Sequence, residues 1–596
     1  MVDPEMTRPV AFPALILQAF AAYWSVLSSR ERVAAAVVVA LAASCLVLEM
    51  IGVGLVVPLL AILMNPTWIK GQDWIGSWTD DLSSTQVVAL AMMAVIVAFF
   101  CKALLTLVHA RYQARFVFQV EARMSVGLLE NYMARPWVFH LQRHSAELIT
   151  NVKAEMSTFA FALLAFMQLV SDAIVVLGLV ALLVMLDPLA SLAIAGLMFI
   201  CASAIQLALR RRVDRWGVLR QKLEVDRFKQ LTEALSLLRE LRVAGRVMEF
   251  VRRYREATAS SALIVERNTF AGAVPKTALE FVSVVALSLV VFVAIATDHP
   301  LDKLVPTLGV FAAAAGRLMP AVSRCLQSTQ MVRMSLPTIK KISFECAQTA
   351  ETVSRVSGGT SIPQSGDLVF DQVSFRYPDA RDDALANLSL TIPFGSVVGL
   401  IGASGSGKST ATDLMLGLLA PRSGCVRVGG VDIANNMAEW RQRVGYVPQS
   451  IVLVDDTLRR NVALGVPDNE IDDAAVRRAL DAASLTDFLD RLPSGLDSML
   501  GERGARMSGG QRQRVGIARA LYHNPSFLIL DEATSALDHE TEDSVMASVL
   551  RLRGNRTIVL VAHRLSTVTR CDWLYRLAGG RVVAQGQYHE VVGERL

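Results

Sequence analysis

Charge is scarce in this chain and cysteine is unorganised. Asp, Glu, Lys and Arg make up 19% of its 596 residues, while 53% are hydrophobic; an ordinary soluble domain is about a quarter charged. With a mean hydropathy of +0.42, that balance excludes a soluble protein of ordinary composition. The net charge of +5 is too small to imply a nucleic-acid partner, and the basic residues cluster beside apolar runs, where membrane topology explains them better. Cys45, Cys101, Cys201, Cys325, Cys346, Cys425 and Cys571 show neither metal-ligand spacing nor a disulfide framework. Four of them lie in apolar stretches, where a free thiol behaves as a small hydrophobe. No short repeat is present. The N-terminus lacks the small-residue cleavage site of a secretory signal. Its apolar, aromatic stretch 11–27 suits an amphipathic elbow helix on the inner face of a membrane.

What the chain does have is unevenly placed. A spanning helix needs about 20 mostly apolar residues, and six candidates occur, at roughly 33–64, 86–108, 158–186, 189–209, 270–297 and 304–333. The connectors 65–85, 187–188 and 298–303 are short to moderate, with only Lys70 and Lys303 as basic residues. The connectors 109–157 and 210–269 are long and basic, the second carrying Arg210, Arg211, Arg212, Arg215, Arg220, Arg252, Arg253 and Arg255. The positive-inside rule places both long connectors and both termini in the cytoplasm. Few Gly or Pro interrupt them, so they read as helical extensions. The expected fold class is a membrane all-α domain of six transmembrane helices followed by an α/β P-loop ATPase domain. Its boundaries are an elbow at 1–32, a transmembrane domain at 33–337, a linker at 338–366 and a nucleotide-binding domain at 367–596.

The C-terminal part carries the chemistry. Residues 396–401 form a buried-strand signal, Gly402-Ala403-Ser404-Gly405-Ser406-Gly407-Lys408-Ser409-Thr410 follows, and a helical run begins at Ala411. Strand, glycine loop and helix are the context a phosphate-binding loop requires. The glycines free backbone N–H groups to face phosphate oxygens at a helix N-terminus. Lys408 supplies a point charge for the β and γ phosphates, and Ser409 a Mg²⁺ ligand. Phe527 to Leu530 make a core strand ending in Asp531 and Glu532. Asp531 would hold Mg²⁺ and Glu532 would polarise the attacking water, unless the two acids merely cap the next helix. His563 follows another apolar strand and would contact the γ-phosphate. Gln449, after Gly445-Tyr446-Val447-Pro448, would sense Mg²⁺. Tyr377 would stack on adenine, or is simply a strand-end aromatic before Pro378.

These words and their order resemble the ATP-binding-cassette family over the whole chain. By that resemblance Tyr377 matches the A-loop, Gly402 to Thr410 the Walker A motif, and Gln449 the Q-loop. Met507-Ser508-Gly509-Gly510-Gln511 matches the signature, with Met where Leu is usual. Asp531 and Glu532 match Walker B, Asp538 the D-loop and His563 the H-loop; Gly501-Glu502-Arg503-Gly504 looks like the segment exporters place before the signature. The resemblance implies ATP and Mg²⁺ as cofactors and a homodimer, in which the signature of one subunit closes over ATP held by the other. Six helices fused ahead of a cassette is the exporter arrangement, with coupling helices at Pro136-Trp137-Val138-Phe139-His140 and within Glu233 to Gly245. It implies a bacterial inner-membrane protein with cytoplasmic ATPase domains, and no N-terminal peptidase domain is expected.

The cargo signal is thinner. Glu49, Lys102, Asp172, Glu280, Arg317 and Arg324 fall at membrane depth, where charge is costly and faces a cavity or a partner. Arg317 and Arg324 lie two turns apart on one helix face, near Ser323 and Gln327. They suit a phosphate headgroup, or else pair with Glu49 or Asp172 inside the bundle. The stretch Trp68 to Trp78 suits interfacial anchoring or contact with a lipid tail. Leu48 to Gly54, Arg317-Leu318-Met319-Pro320 and Arg239 to Arg246 resemble the lipid-linked oligosaccharide flippases of the family. The expectation is an ATP-driven flippase for a lipid-linked saccharide. The alternatives are an exporter of phospholipid, lipid A or hydrophobic drugs, and, further off, an ATP-gated channel or regulatory subunit. Six spanning helices argue against a soluble DNA-repair ATPase with the same cassette words.

Overall fold

The structure is a computed structural model describing residues 11–55, 84–186, 188–296, 301–348, 361–501, 504–505, 507–533, 539–562 and 564–592. The chain divides into two compact units: Met1–Arg135 with Arg143–Thr352, and Pro136–Gln142 with Val353–Leu596.

The first unit is helical. In lipid the backbone must satisfy its own hydrogen bonds, so long apolar runs become long helices. They are α1 (Phe12–Val26), α2 (Ser29–Gly54), α3 (Ser84–Ala134), α4 (Trp137–Gln142, which belongs to the second unit), α5 (Ser145–Thr150), α6 (Met156–Leu186), α7 (Pro188–Ser236), α8 (Leu238–Val243), α9 (Val247–Ala296) and α10 (Leu301–Ala347). Helix α3 has 51 residues, about 76 Å at the helical rise, against a hydrocarbon core of about 30 Å. Its second half must therefore project into water, as the few Gly and Pro of that connector suggest. The same holds for α7 and α9, whose basic halves prolong apolar ones. Among the described residues, Ser29–Gly52, Thr85–Ala134 and Ser145–Met185 are long and apolar enough to cross a membrane. Helix α10 continues to Ala347, ten residues into the stretch read as linker.

Met93, Ile96, Phe100, Leu104 and Leu107 form an exposed stripe at helical spacing along α3, the surface a membrane would cover. The opposite environment is a core of Leu179 and Leu183 from α6, Met198 from α7, Leu279 from α9, and Leu318 and Leu326 from α10. At Gly217 the backbones of α7 and α10 approach so closely that a Cβ would lie 2.3 Å from the carbonyl oxygen of Met334. Close helix approach of this kind needs glycine.

The second unit holds two sheets. The smaller is antiparallel in the order β2-β1-β4-β5, with β1 Leu368–Phe375, β2 Leu385–Ile392, β4 Ser423–Val428 and β5 Val431–Asp432. The larger runs β10-β9-β3-β8-β7-β6, with β3 Val397–Gly402, β6 Val444–Val447, β7 Phe527–Asp531, β8 Thr557–Val561, β9 Trp573–Ala578 and β10 Arg581–Gly586. Strands β9, β3, β8, β7 and β6 are parallel neighbours, and β10 closes one edge antiparallel. Strand β8 is buried throughout and β3 and β7 almost so, as a parallel sheet covered on both faces demands. Because the strands are parallel, their C-terminal ends share one edge, and the loops leaving β3, β6, β7 and β8 gather there.

Helix α4 sits with this unit. Val138 packs against the core that contains Phe370, Leu414 and Trp440, and Gln142 Nε2 donates to Asp379 Oδ2 at 3.2 Å.

Candidate functional site

The sheet edge assembles the residues expected to bind phosphate. Strand β3 delivers Gly402, and the loop turns into α11 (Lys408–Met415) through Gly407, the helix N-cap, at φ 102°. A Cβ there would press within 2.7 Å of Leu385, so both the left-handed backbone and the space require glycine. Gly405 has φ 77° in the same turn. Lys408 is buried, and its Nζ donates to the carbonyls of Gly402 at 2.7 Å and Ala403 at 3.0 Å. Burial pushes its ammonium pKa down, and the charges of Glu532 and Asp531 oppose that shift. Ser404 and Ser409 are exposed while Thr410 is buried. Thr410 Oγ1 lies 3.2 Å from the Tyr377 hydroxyl, which fixes that tyrosine beside the loop; its ring meets Phe375 edge-on at 5.0 Å.

Strand β7 ends in Asp531. The next residue, Glu532, has φ 49°, a left-handed conformation that costs a branched-out side chain about 1 kcal/mol or more. Its N–H donates to the carbonyl of Val561 at 2.9 Å, so neighbouring β8 enforces the turn. Its carboxylate accepts from Gln449 Nε2 at 2.8 Å, bringing the Q-loop and Walker B residues into direct contact.

Two members of this site escaped sequence reasoning. Asp413, in the second turn of α11, has its pKa raised to about 6, by burial and then by the charge of Asp531. Tyr446, on β6, is pushed up to about 12, again by burial first and Asp531 second. Asp413 is the one acid in the helix that follows the glycine loop, and that was its available signal. Lys408, Asp413, Asp531 and Glu532 thus form one cluster in which carboxylates outnumber cations.

The signature segment caps a helix of its own, α12 (Gly509–Leu521). Ser508 accepts from the Gln511 N–H at 3.2 Å, and Gln511 Oε1 accepts from the Ser508 N–H at 2.9 Å. This capping box leaves Gly509 and Gly510 in the first turn with an anion-favouring helix terminus. Met507 is buried in the core beside it, so the departure from Leu is a packing substitution of similar volume. Asp538, His563 and the stretch Trp68 to Trp78 lie outside the described residues.

At membrane depth the structure pairs charges. Lys102 on α3 bonds Glu49 on α2. Arg324 on α10 grips Asp172 on α6 through Nε at 3.0 and 3.1 Å and Nη2 at 2.8 Å. Gln168 adds a bond to Asp172 at 2.9 Å. The Asp172 side chain is 4% exposed and that of Arg324 49%, so this arginine is both paired and accessible. Ser323 is buried, and Gln327 donates to the Gly272 carbonyl at 3.3 Å. Arg317 occupies the same continuous helix, two turns before Arg324; its side chain lies outside the described residues.

Comparison with known proteins follows the same division. Residues 52–316 match the family model for an ABC transporter transmembrane region, and residues 385–535 the model for an ABC transporter. An ATP-dependent lipid A-core flippase of Ralstonia nicotianae is 32% identical over 479 residues, 80% of each chain. Its counterpart in Thiobacillus denitrificans is 33% identical over 489 residues, 81% of this chain and 82% of its own. A solved bacterial Atm1-family ABC exporter with ATP bound superposes with a TM-score of 0.77 at 23% identity, covering 95% of this chain and 97% of that one. At that identity the likeness is one of fold.

Proposed function

For a chain that belongs to the ABC transporter family, with a membrane-embedded domain fused to an ATP-hydrolysing cassette, we propose an ATP-driven flippase of anionic glycolipids working as a homodimer. The first candidate cargo is a lipid-linked oligosaccharide, with the cassettes on the cytoplasmic side of a bacterial inner membrane. The observation that carries the anionic cargo is Arg324: its counter-ion is buried while half of its own side chain is open. A guanidinium so placed can exchange Asp172 for a phosphate oxygen without leaving its helix. Arg317, on the same face by spacing, would double the charge.

In the cassette, the loop N–H groups and Lys408 would bind the ATP phosphates, with Tyr377 beside the adenine. Asp531 and Ser409 would hold Mg²⁺, with Gln449 at its edge; the surplus of carboxylate in this cluster fits a cation, which would supply positive charge next to the phosphates. Glu532, oriented by Gln449 and by its own enforced backbone, would polarise the attacking water, and His563 would meet the γ-phosphate. The Ser508-Gly509-Gly510-Gln511 terminus, with Asp538, would complete the site of the opposite subunit. Closure of two cassettes would reach the membrane through α4 and α8, the short helices that fall where coupling helices are expected. Helix α8 supports a second subunit: Val243 is 86% exposed and Leu237 and Leu238 are open as well, an apolar surface suited to a partner.

A lipid A-core cargo is the second reading, favoured by the names of the relatives that span both domains. Proteoliposomes test both. ATP-dependent loss of a polyprenyl-pyrophosphate oligosaccharide from the cassette-facing leaflet, absent in Glu532→Gln, is the expected result. Movement of lipid A-core alone would select the second reading. Movement of hydrophobic drugs but of neither glycolipid would overturn the proposal.

A further inference from the structure

A cavity of about 470 Å³ opens between α7 and α9, lined by Arg212, Arg215, Trp216 and Leu209 on one side and by Arg267, Phe270 and Val274 on the other. None of its walls belongs to the Asp172–Arg324 pair. Its α7 wall follows helical spacing, with Leu209, Arg212 and Trp216 at i, i+3 and i+7; Arg267, Phe270 and Val274 repeat that spacing on α9.

The two walls change polarity together. Helix α7 is apolar up to Leu209 and basic from Arg210, and α9, running the other way, becomes apolar at Phe270. The cavity therefore straddles the boundary between an apolar and an aqueous layer, with Leu209, Phe270 and Val274 toward one and three guanidiniums toward the other. Among the described residues, Arg212, Arg215 and Arg267 have no hydrogen-bonded or ion-paired partner. Asp214, beside Arg212 and Arg215 in sequence, is engaged by Arg333 at 3.3 Å, and Glu266, beside Arg267, makes no ion pair with it. Three unneutralised guanidiniums around one hollow repel each other until an anion enters, and arginine forks match phosphate oxygens.

We propose that this cavity binds the phosphate headgroup of a membrane phospholipid from the leaflet facing the cassettes, with its acyl chain along Leu209, Phe270 and Val274. The site shares no residue with the Asp172–Arg324 pair proposed to meet the cargo and does not depend on which cargo is carried. It makes lipid composition an input to the two helices whose far ends frame α8.

Native mass spectrometry of the full-length protein, titrated with phosphatidylglycerol, phosphatidylcholine or inorganic phosphate, tests the site. The expected result is retention of phosphatidylglycerol with an affinity on the order of tenfold above phosphatidylcholine, given the attraction of clustered arginines for anionic lipid. Arg212→Gln/Arg215→Gln/Arg267→Gln should bring phosphatidylglycerol down to the phosphatidylcholine level. Arg252→Gln/Arg253→Gln/Arg255→Gln, which removes the same formal charge elsewhere on α9, should keep the preference, and Arg267→Lys should keep most of it. Equal retention of the two lipids by the wild type overturns the proposal without any variant. So does displacement of phosphatidylglycerol by inorganic phosphate at matching concentration, which would mark a site for soluble anions, and so does an equal loss in the control triple variant.

Discussion

Carboxylates are used in opposite ways in the two halves of this molecule. In the membrane half four of them are neutralised in place: Glu49 by Lys102, Asp172 by Arg324, Asp214 by Arg333 and Glu155 by Arg220. In the cassette, Asp531 and Glu532 face Lys408, and Asp413, raised first by burial and then by the charge of Asp531, holds its proton to about pH 6. A buried pair is a structural settlement, because removing one partner strands the other in low dielectric. A surplus of like charge awaits something positive. These four pairs show where carboxylate charge has been made safe, and the cassette cluster where it has been left in tension for a ligand.

The comparison can be broken most forcefully at its neutral side. Arg333→Ala removes the guanidinium that Asp214 pairs with where both side chains are nearly buried, so a loss of about 4 kcal/mol in stability is expected. Differential scanning fluorimetry in detergent reads it, and Arg333→Met/Asp214→Leu should recover most of the loss. On the charged side, Glu532→Gln keeps shape and removes charge. ATP hydrolysis should fall on the order of a hundredfold, measured as phosphate release, with ATP binding retained. Arg324→Ala sharpens the exception, a pair that is also exposed: transport and the glycolipid-stimulated part of ATP hydrolysis should drop to below roughly a tenth. A purely structural pair would instead lower the melting temperature and leave the stimulation ratio untouched.

The smallest effect concerns Asp413. Its folded-state pKa lies above its unfolded value, so the folded protein binds more protons between about pH 4 and 6. Stability therefore falls as pH rises through that window. Asp413→Asn should stabilise the cassette above pH 6 by about 1 kcal/mol, the shift having been discounted for its partial solvent screening. The gain should vanish below about pH 4. Chemical denaturation of nucleotide-free protein across that range measures it.

Local features were readable in advance. Strand, glycine loop and helix are adjacent in sequence, as are the four apolar residues and two acids of β7, so the nucleotide loop and Walker B residues could be named from spacing alone. Apolar runs gave the helices, and an absence of Gly and Pro gave their extensions. What stayed hidden depends on contacts between distant segments. Asp413 acquires meaning only when α11 lies across β7. The left-handed turn at Glu532 is imposed by β8, about thirty residues later in the chain. Arg324 had two readings, and only the contact with Asp172, on another helix, shows that it pairs inside the bundle while half of its side chain stays open. Of the arginines around the α7–α9 cavity, Arg212 and Arg215 looked like topology signals and Arg267 was not singled out, since no periodicity tells which of many basic residues converge.

Helix α4 has a practical consequence. Seven residues encoded in the middle of the membrane half, Pro136–Gln142, are packed as part of the ATPase body, with Val138 against its core. Severing the chain after the last long helix would thus release a cassette with an apolar scar and a bereft Asp379, while the remaining fragment would carry off the plug. In the genetic text the boundary is a single cut; in the folded object it is a dovetail.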